Sequence, residues 1–310
     1  MTGQIKVSVR LPMHERIFQS LEQKTDFSLY SNLVDALNAG DTNWLQEFTT
    51  GFGVAVQTYM MRYGLMRRLL AKSVCNQGQM PRIPIRNRTS RIVTTLTKPG
   101  TFDVQSPAGP AHSWVVPQET HFIDRHAFKY TGPVNVIHQE FTSAIRRLMS
   151  QGEQKTMFDM VRHLVTPHRV SQLDTMTFDS IVRHMQHVKG TKPCYAVLGS
   201  RAWLELKTYL PPSELCLASV DPMHVAERGG VAILSEGGYP WLDFGKASLT
   251  VGADEFFLFT EPLNVGAYTD RDHLGVIPIL GDEAMHSAVT TTTISIALTN
   301  ELGIERGEII

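Results

Sequence analysis

The sequence predicts an α+β protein in which a small α/β module is joined to long elements lying outside its core. Three observations predict it. Apolar residues recur at helical spacing from Pro133 to Pro167. Stretches rich in Ile, Val and Thr alternate at 82–87 and 91–97, the period of a strand, and 286–300 is a long β-branched run. Residues 48 to 102 contain no Asp or Glu but carry nine Lys or Arg, in a chain whose formal charge is −1, so everything outside that window sums to −10.

Taken in order, residues 1–50 mix short polar and apolar stretches, with Ser31 a candidate cap for a helix through Leu33, Val34 and Leu37 that ends near Gly40. A second helix is expected from Phe52 to about Val74. Val56, Tyr59, Met60, Tyr63, Met66, Leu69 and Leu70 lie on one side of it, and Arg62, Arg67 and Arg68 on the other. The basic run continues through Lys72, Arg82, Arg86, Arg88, Arg91 and Lys98.

Next, RIPIRN (82–87) and RIVTTLT (91–97) read as strands, and Lys98-Pro99-Gly100-Thr101 reads as a turn. Strand character returns in HSWVV (112–116) and THFIDRHAFKY (120–130). The result is an extended antiparallel hairpin with semi-polar faces. Two strands alone are marginal in water, so this hairpin needs a surface to lean on, and another subunit supplies one. Trp114 and Phe122 are its candidate apolar anchors between subunits.

Pro133 opens the long helix. Ile137, Phe141, Ile145 and Leu148 form a narrow stripe, continued by Met157, Val161 and Leu164 after an interruption at Gly152. A compact α/β portion follows. Thr177 is read as the cap of a helix with Phe178, Ile181, Val182, Met185 and Val188 inward, stopped at Gly190. CYAVLG (194–199) reads as a buried strand. Ser200 is read as the cap of a helix carrying Trp203, Leu204 and Leu206 that ends at Pro211-Pro212. VAILSEGGYPW and ASLTVGADEFFLFT supply further strands, and HSAVTTTTISIALTN is the terminal one.

Composition narrows the function. A hydrophobic content of 42% with 19% charged residues is that of a folded, soluble protein. The three cysteines, Cys75, Cys194 and Cys216, are far apart and form no CxxC pair, so neither a disulfide framework nor a zinc ribbon is expected. The start lacks a signal-peptide pattern, and no apolar run approaches the ~20 residues of a membrane span. The reading is a protein of the cytosol that is not exported by a signal peptide.

No catalytic or metal motif emerges. His184 and His187 lie three apart on one expected helix, and His163 and His168 straddle a helix end, but no further ligand has matching spacing. HExxH, GxSxG and the phosphate-binding glycine signatures are absent. Asp270-Arg271-Asp272-His273, flanked by strands, reads as a hydrated turn. No enzyme activity, cofactor or metal is assigned.

The order of parts carries more than any single residue. It runs basic helix, isolated hairpin, long helix, α/β module and terminal strand. In this order the chain resembles the major capsid proteins of tailed bacteriophages, whose fold encapsulin shells share. MPRIPIRNRTSRIV is similar to the entry into that family's extended loop, and residues 133–168 to its spine helix. LDTMTFDSIVRHMQHVKGTKPCYAVLGSRAWLELK is similar to the start of its axial domain. TTTTISIALTNELGIERGEII is similar to the strand that returns to the peripheral domain. The likeness covers roughly residues 80 to 310 and rests on architecture, with no single specific motif.

The resemblance implies a segmentation. Residues 1–80 would be an N-terminal arm and basic helix, 81–132 the extended hairpin loop, and 133–170 the spine helix of the peripheral domain. Residues 171–285 would be the axial domain, and 286–310 the strand returning to the peripheral domain. It implies a structural protein of the virion, assembled in the host cytoplasm. Its partners would be many copies of itself as pentamers and hexamers, packaged double-stranded DNA, scaffold, portal and cement proteins, and no membrane. The nine basic residues from Arg62 to Lys98 would then face neighbouring subunits or DNA, and the near-neutral total would limit repulsion among packed copies.

Other readings differ in class. One is an encapsulin-like compartment, distinguished by a cargo peptide bound inside. Another is a nucleic-acid-binding protein using 62–98, with a steep salt dependence. A third is an α/β enzyme with its site near Asp270–His273. Two family features are not carried over. Lys98 and Asn300 show no pattern that licenses an isopeptide cross-link, and residues 1–50 are short for a cleaved scaffolding segment, so no such cleavage is expected.

Overall fold

The computed structural model describes residues 11–23, 28–73, 83–84, 93–98, 101–105, 114–115, 118–128, 152–216, 221, 223–235, 250–270, 275–280 and 286–310. These fall into two compact units, each assembled from three separated stretches. One comprises Met1–Gly64, His121–Gly152 and Asp270–Thr293; the other comprises Leu65–Thr120, Glu153–Thr269 and Ile294–Ile310.

The chain opens with α1 (Met13–Gln23), α2 (Ser28–Ala39) and α3 (Thr42–Tyr63). Met13, Ile17 and Leu21 recur every fourth residue along α1 and are buried, as are Phe48, Phe52, Val56, Tyr59, Met60 and Tyr63 of α3. Gly51 lets α1 approach α3 closely, because a Cβ there would lie 2.9 Å from Met13 Cγ. Residues expected to belong to an arm thus include three packed helices.

The helix ends differ from expectation. α2 begins at Ser28, so Ser31 lies inside it, and it stops at Gly40, whose φ of +67° favours glycine. α3 begins at Thr42 rather than near Phe52, because the Asp41 side chain accepts a hydrogen bond from the Trp44 N–H at 3.1 Å. It ends at Tyr63, where Gly64 turns extended. The chain then forms α4 (Leu65–Leu69) and β1 (Ala71–Lys72) instead of continuing as one helix to Val74.

The hairpin region holds β2 (Ile83–Pro84), β3 (Val93–Lys98), β4 (Thr101–Gln105), β5 (Trp114–Val115) and β6 (Gln118–Phe128). β3 and β4 pair antiparallel, with Lys98 opposite Thr101, and β2 pairs antiparallel with β5. Among the described residues each is a two-stranded sheet.

Residues 133–151 of the expected long helix lie outside the described residues. Its later part is present as a single π turn at 152–154 leading into α5 (Lys155–Leu164). Then come β7 (His168–Val170), α6 (Thr175–His187), β8 (Tyr195–Leu198), α7 (Ser200–Tyr209), β9 (His224–Arg228), β10 (Val231–Ser235) and β11 (Glu255–Phe259). The chain finishes with α8 (Pro262–Val265), β12 (Gly266–Asp270), β13 (Gly275–Leu280), β14 (His286–Leu298) and β15 (Ile304–Ile309).

In the first unit, β13 and β14 form an antiparallel ladder from Gly275–Thr291 to Leu280–His286, and β6 also pairs with β14. In the second, β1 runs parallel to β12, with Ala71 opposite Ala267.

The second unit is built on a six-stranded sheet ordered β7-β15-β11-β8-β10-β9. β11 (EFFLF) is buried along its whole length, which explains its continuous apolar run. Phe256 and Leu258 point to one face. There they join Phe178, Ile181 and Met185 of α6 and Ala202 and Leu206 of α7. Phe257 and Phe259 point to the other face, against Phe158 of α5 at ring distances of 4.9 and 6.3 Å. The sheet is therefore sandwiched between α6 with α7 and α5.

Two caps move by a residue or more. Asp174, not Thr177, caps α6, its side chain accepting from the Thr177 N–H at 2.7 Å. Gly199, not Ser200, precedes α7, and a Cβ there would lie 1.8 Å from Gly252 O. Val188, read as inward, is exposed, as is Leu204.

Candidate functional site

The candidate site begins with the basic segment, and its arginines do not behave alike. Arg62, in the last turn of α3, donates from Nη1 to Glu22 Oε1 at 2.8 Å, lies over the Tyr63 ring at 5.5 Å and stays 45% exposed. Arg68, on α4, is part-buried and ion-paired with Asp221. Lys72 ends β1 with an exposed side chain.

Arg67 corrects the expectation that it faces a partner or DNA. Its side chain is 2% exposed. Nε donates to Glu153 Oε2 at 2.9 Å and Nη2 to Oε1 at 2.6 Å, and Glu153 is itself 1% exposed. The guanidinium also lies 5.5 Å from the Tyr268 ring centroid on β12. Burial of so polar a group is tolerated because the planar fork and the carboxylate satisfy each other at two points. Helical periodicity placed Arg67 on the polar side, but α3 stops at Tyr63, which breaks that phase.

Of the other basic residues, Arg82, Arg86, Arg88 and Arg91 lie outside the described residues. Lys98 ends β3, with its backbone opposite Thr101. Trp114, a proposed anchor, pairs through its backbone with Pro84 on β2, and Phe122 lies on β6. Of the Asp270–His273 segment, Asp270 ends β12 and the remainder lies outside the described residues.

Two carboxylates organise the second unit. Glu255, at the start of β11, accepts from Arg162 of α5 at 2.6 to 3.2 Å, from Arg306 of β15 at 2.9 Å and from the Gly252 N–H at 2.9 Å. Burial alone would raise its pKa, but these donors outweigh it and hold the carboxyl below its ordinary value. The hub ties a helix, a turn and the C-terminal strand together.

Glu305 on β15 is the second, 1% exposed. Lys189 Nζ is ion-paired to its Oε2, while His168 Nε2 and His184 Nδ1 both approach its Oε1, the latter at 3.0 Å. Burial opposes ionisation here too, and Lys189 with His168 overcomes it, so this carboxyl also titrates below its usual range. His163 and His187 take no part in this cluster. Sequence spacing missed it because Glu305 is 137 residues from His168 and 121 from His184.

None of the described helices is long and apolar enough to cross a membrane.

No protein-family model and no curated protein matches this chain. Solved structures do. The capsid of the cyanophage P-SCSP1u matches with a TM-score of 0.51 at 10% identity, over 80% of this chain and 89% of that one. A virus-like particle from Pyrococcus furiosus matches at 0.48 and 11% identity, over 82% and 94%. The holo-SrpI encapsulin complex from Synechococcus elongatus matches at 0.48 and 11% identity, over 78% and 85%. At these identities the likeness is one of fold, and the first match carries it.

Proposed function

We propose that this chain, whose fold is that of phage capsid and encapsulin shells, is a structural major capsid protein. Copies would assemble through pentamers and hexamers into an icosahedral shell enclosing the double-stranded DNA of a tailed phage. The shell would form in the host cytoplasm, and the protein would then reside in the virion. The observation that carries this reading, within such a fold, is the β3–β4 hairpin. Among the described residues its ladder contains only those two strands, and an isolated pair is marginal in water. A neighbouring subunit supplies the surface it needs, in contacts that typically bury well over ~2,000 Å² in obligate assemblies.

Charge supports contact among copies. The window from Arg62 to Lys98 is free of acidic residues, whereas the remainder of the chain sums to −10. Arg62, Arg67 and Arg68 each hold a carboxylate of the same chain. That use of charge argues against these three arginines serving either a nucleic acid or a neighbouring copy. Scaffold, portal and cement proteins are further partners of the capsid reading, and no catalytic role is proposed.

The test is negative-stain electron microscopy of the protein after size-exclusion chromatography. Hollow particles of uniform diameter are expected, with nuclease-protected DNA in particles recovered from infected cells. Particles holding a protein cargo and no DNA would favour the encapsulin-like alternative. A monomer or dimer that remains unassembled when co-expressed with its neighbouring reading frames would overturn the shell reading.

A further inference from the structure

We propose that His168, His184 and Glu305 form a binding site for a divalent transition metal, with zinc the ion that their chemistry fits best. Three elements of the second unit bring them together. β7 runs parallel to β15, and His168 lies opposite Gly307, two residues beyond Glu305 on the same strand. α6 crosses the same end with His184 in its last turn. The two imidazole rings meet edge-on at 76°, with centroids 5.0 Å apart.

The donor atoms converge. His168 Nε2 and His184 Nδ1 both approach Glu305 Oε1, and one ligand atom from each of the three residues lies within 4.8 Å of the other two. Two imidazole nitrogens and a carboxylate oxygen are the donor set of three-ligand zinc sites that keep a fourth position open. Tetrahedral zinc with bonds of about 2.0–2.2 Å places neighbouring donors about 3.3–3.6 Å apart. The present spacing reaches that value by small side-chain movements. An ion would take the place of the direct imidazole–carboxylate contacts at Oε1.

The surroundings support this use. Glu305 is 1% exposed, while His168 and His184 are 41% and 37% exposed. The carboxylate is therefore fixed from behind, and the imidazoles leave a path for the ion and for a water in the fourth position. Lys189 is paired with Oε2 and donates to Ile304 O at 2.5 Å. It orients the carboxylate so that Oε1 faces the histidines, as outer partners of metal ligands commonly do. A bound ion would clip α6 and β7 to the C-terminal strand.

The experiment is calorimetric titration of ZnCl2 into the full-length chain, after chelator treatment and dialysis at neutral pH. H168Q, H184Q and the control H163Q are titrated in parallel. The expected result is one zinc per chain, with affinity lowered at least tenfold in H168Q and H184Q and unchanged in H163Q. Co(II) added to the unmodified chain should give the visible bands of a tetrahedral complex, a readout independent of whether a variant folds. Absence of zinc binding by the unmodified chain would overturn the proposal. So would equal binding by H168Q and H184Q, which would assign the zinc to other histidines.

Discussion

Arg67 and Glu153, 86 residues apart, form a two-point ion pair at 2.9 and 2.6 Å, with both side chains almost wholly removed from solvent. Arg67 comes from the most basic stretch of the chain, but its charge joins α4 to the turn that opens α5. Breaking one half should cost far more than removing both. Glu153→Ala leaves a buried guanidinium without its main counter-charge and should destabilise the chain by about 3–5 kcal/mol. The apolar double substitution R67M/E153L should recover most of that loss. Urea unfolding of the unassembled protein measures both, and equal losses would show that the pair is not the source of the effect.

Glu255 gives the fold an acid limit. Its folded-state pKa is depressed below the ordinary value of 4.5. Its contribution is therefore fully present above that value and is lost as pH falls through the folded pKa. Glu255→Gln should cost about 1.5–3 kcal/mol at neutral pH, the range for hydrogen bonds to charged groups. It should also flatten stability against pH below 4.5. Thermal unfolding of both proteins from neutral to acidic pH tests this, and parallel profiles would count against it.

Phe158 is the contact through which α5 sits on the sheet, fully buried and 4.9 Å from the Phe257 ring. Phe158→Ala should destabilise by about 3–5 kcal/mol, because the rigid strand beneath it cannot collapse into the space. On the opposite face, Gly307 admits the Phe256 ring, which would lie 1.9 Å from an added Cβ. Gly307→Ala should cost about 1–3 kcal/mol through overpacking. Denaturant midpoints report both effects, and a neutral Gly307→Ala would mean that the ring moves aside freely.

The hairpin should separate assembly from folding. Deleting Arg88 to Asp124, most of the expected hairpin, would also remove part of β6, which pairs with β14. Replacing residues 93–105 with a short Gly-Ser linker removes only the β3–β4 ladder. The shortened protein should retain the thermal transition of the sheet-based unit and form no shells. Normal particles by electron microscopy would contradict the role assigned to this element.

Much of the sheet-based unit was legible because its signals are local. CYAVLG became β8, and Pro211-Pro212 follows the end of α7. Phe178, Ile181 and Met185 proved to be the buried face of α6. Helix starts were less legible. Ser31, Thr177 and Ser200 each had cap chemistry, but the chain was already helical at or before each of them. A cap is selected by where the preceding backbone turns extended, and a residue type alone does not carry that information.

The sequence by itself determined the paired strands β3 and β4, the buried strands β8 and β11 and the polarised charge. Each depends on neighbours a few residues apart, whose periodicity and turn chemistry act before any tertiary contact forms. Only the tertiary structure decided that Arg67 turns inward to Glu153 and that Glu255 gathers two arginines. Only it brought His168 and His184 onto one oxygen of Glu305. Those meetings join residues tens to more than a hundred positions apart. They follow from strand register and from the faces that helices bury, and no local pattern records either.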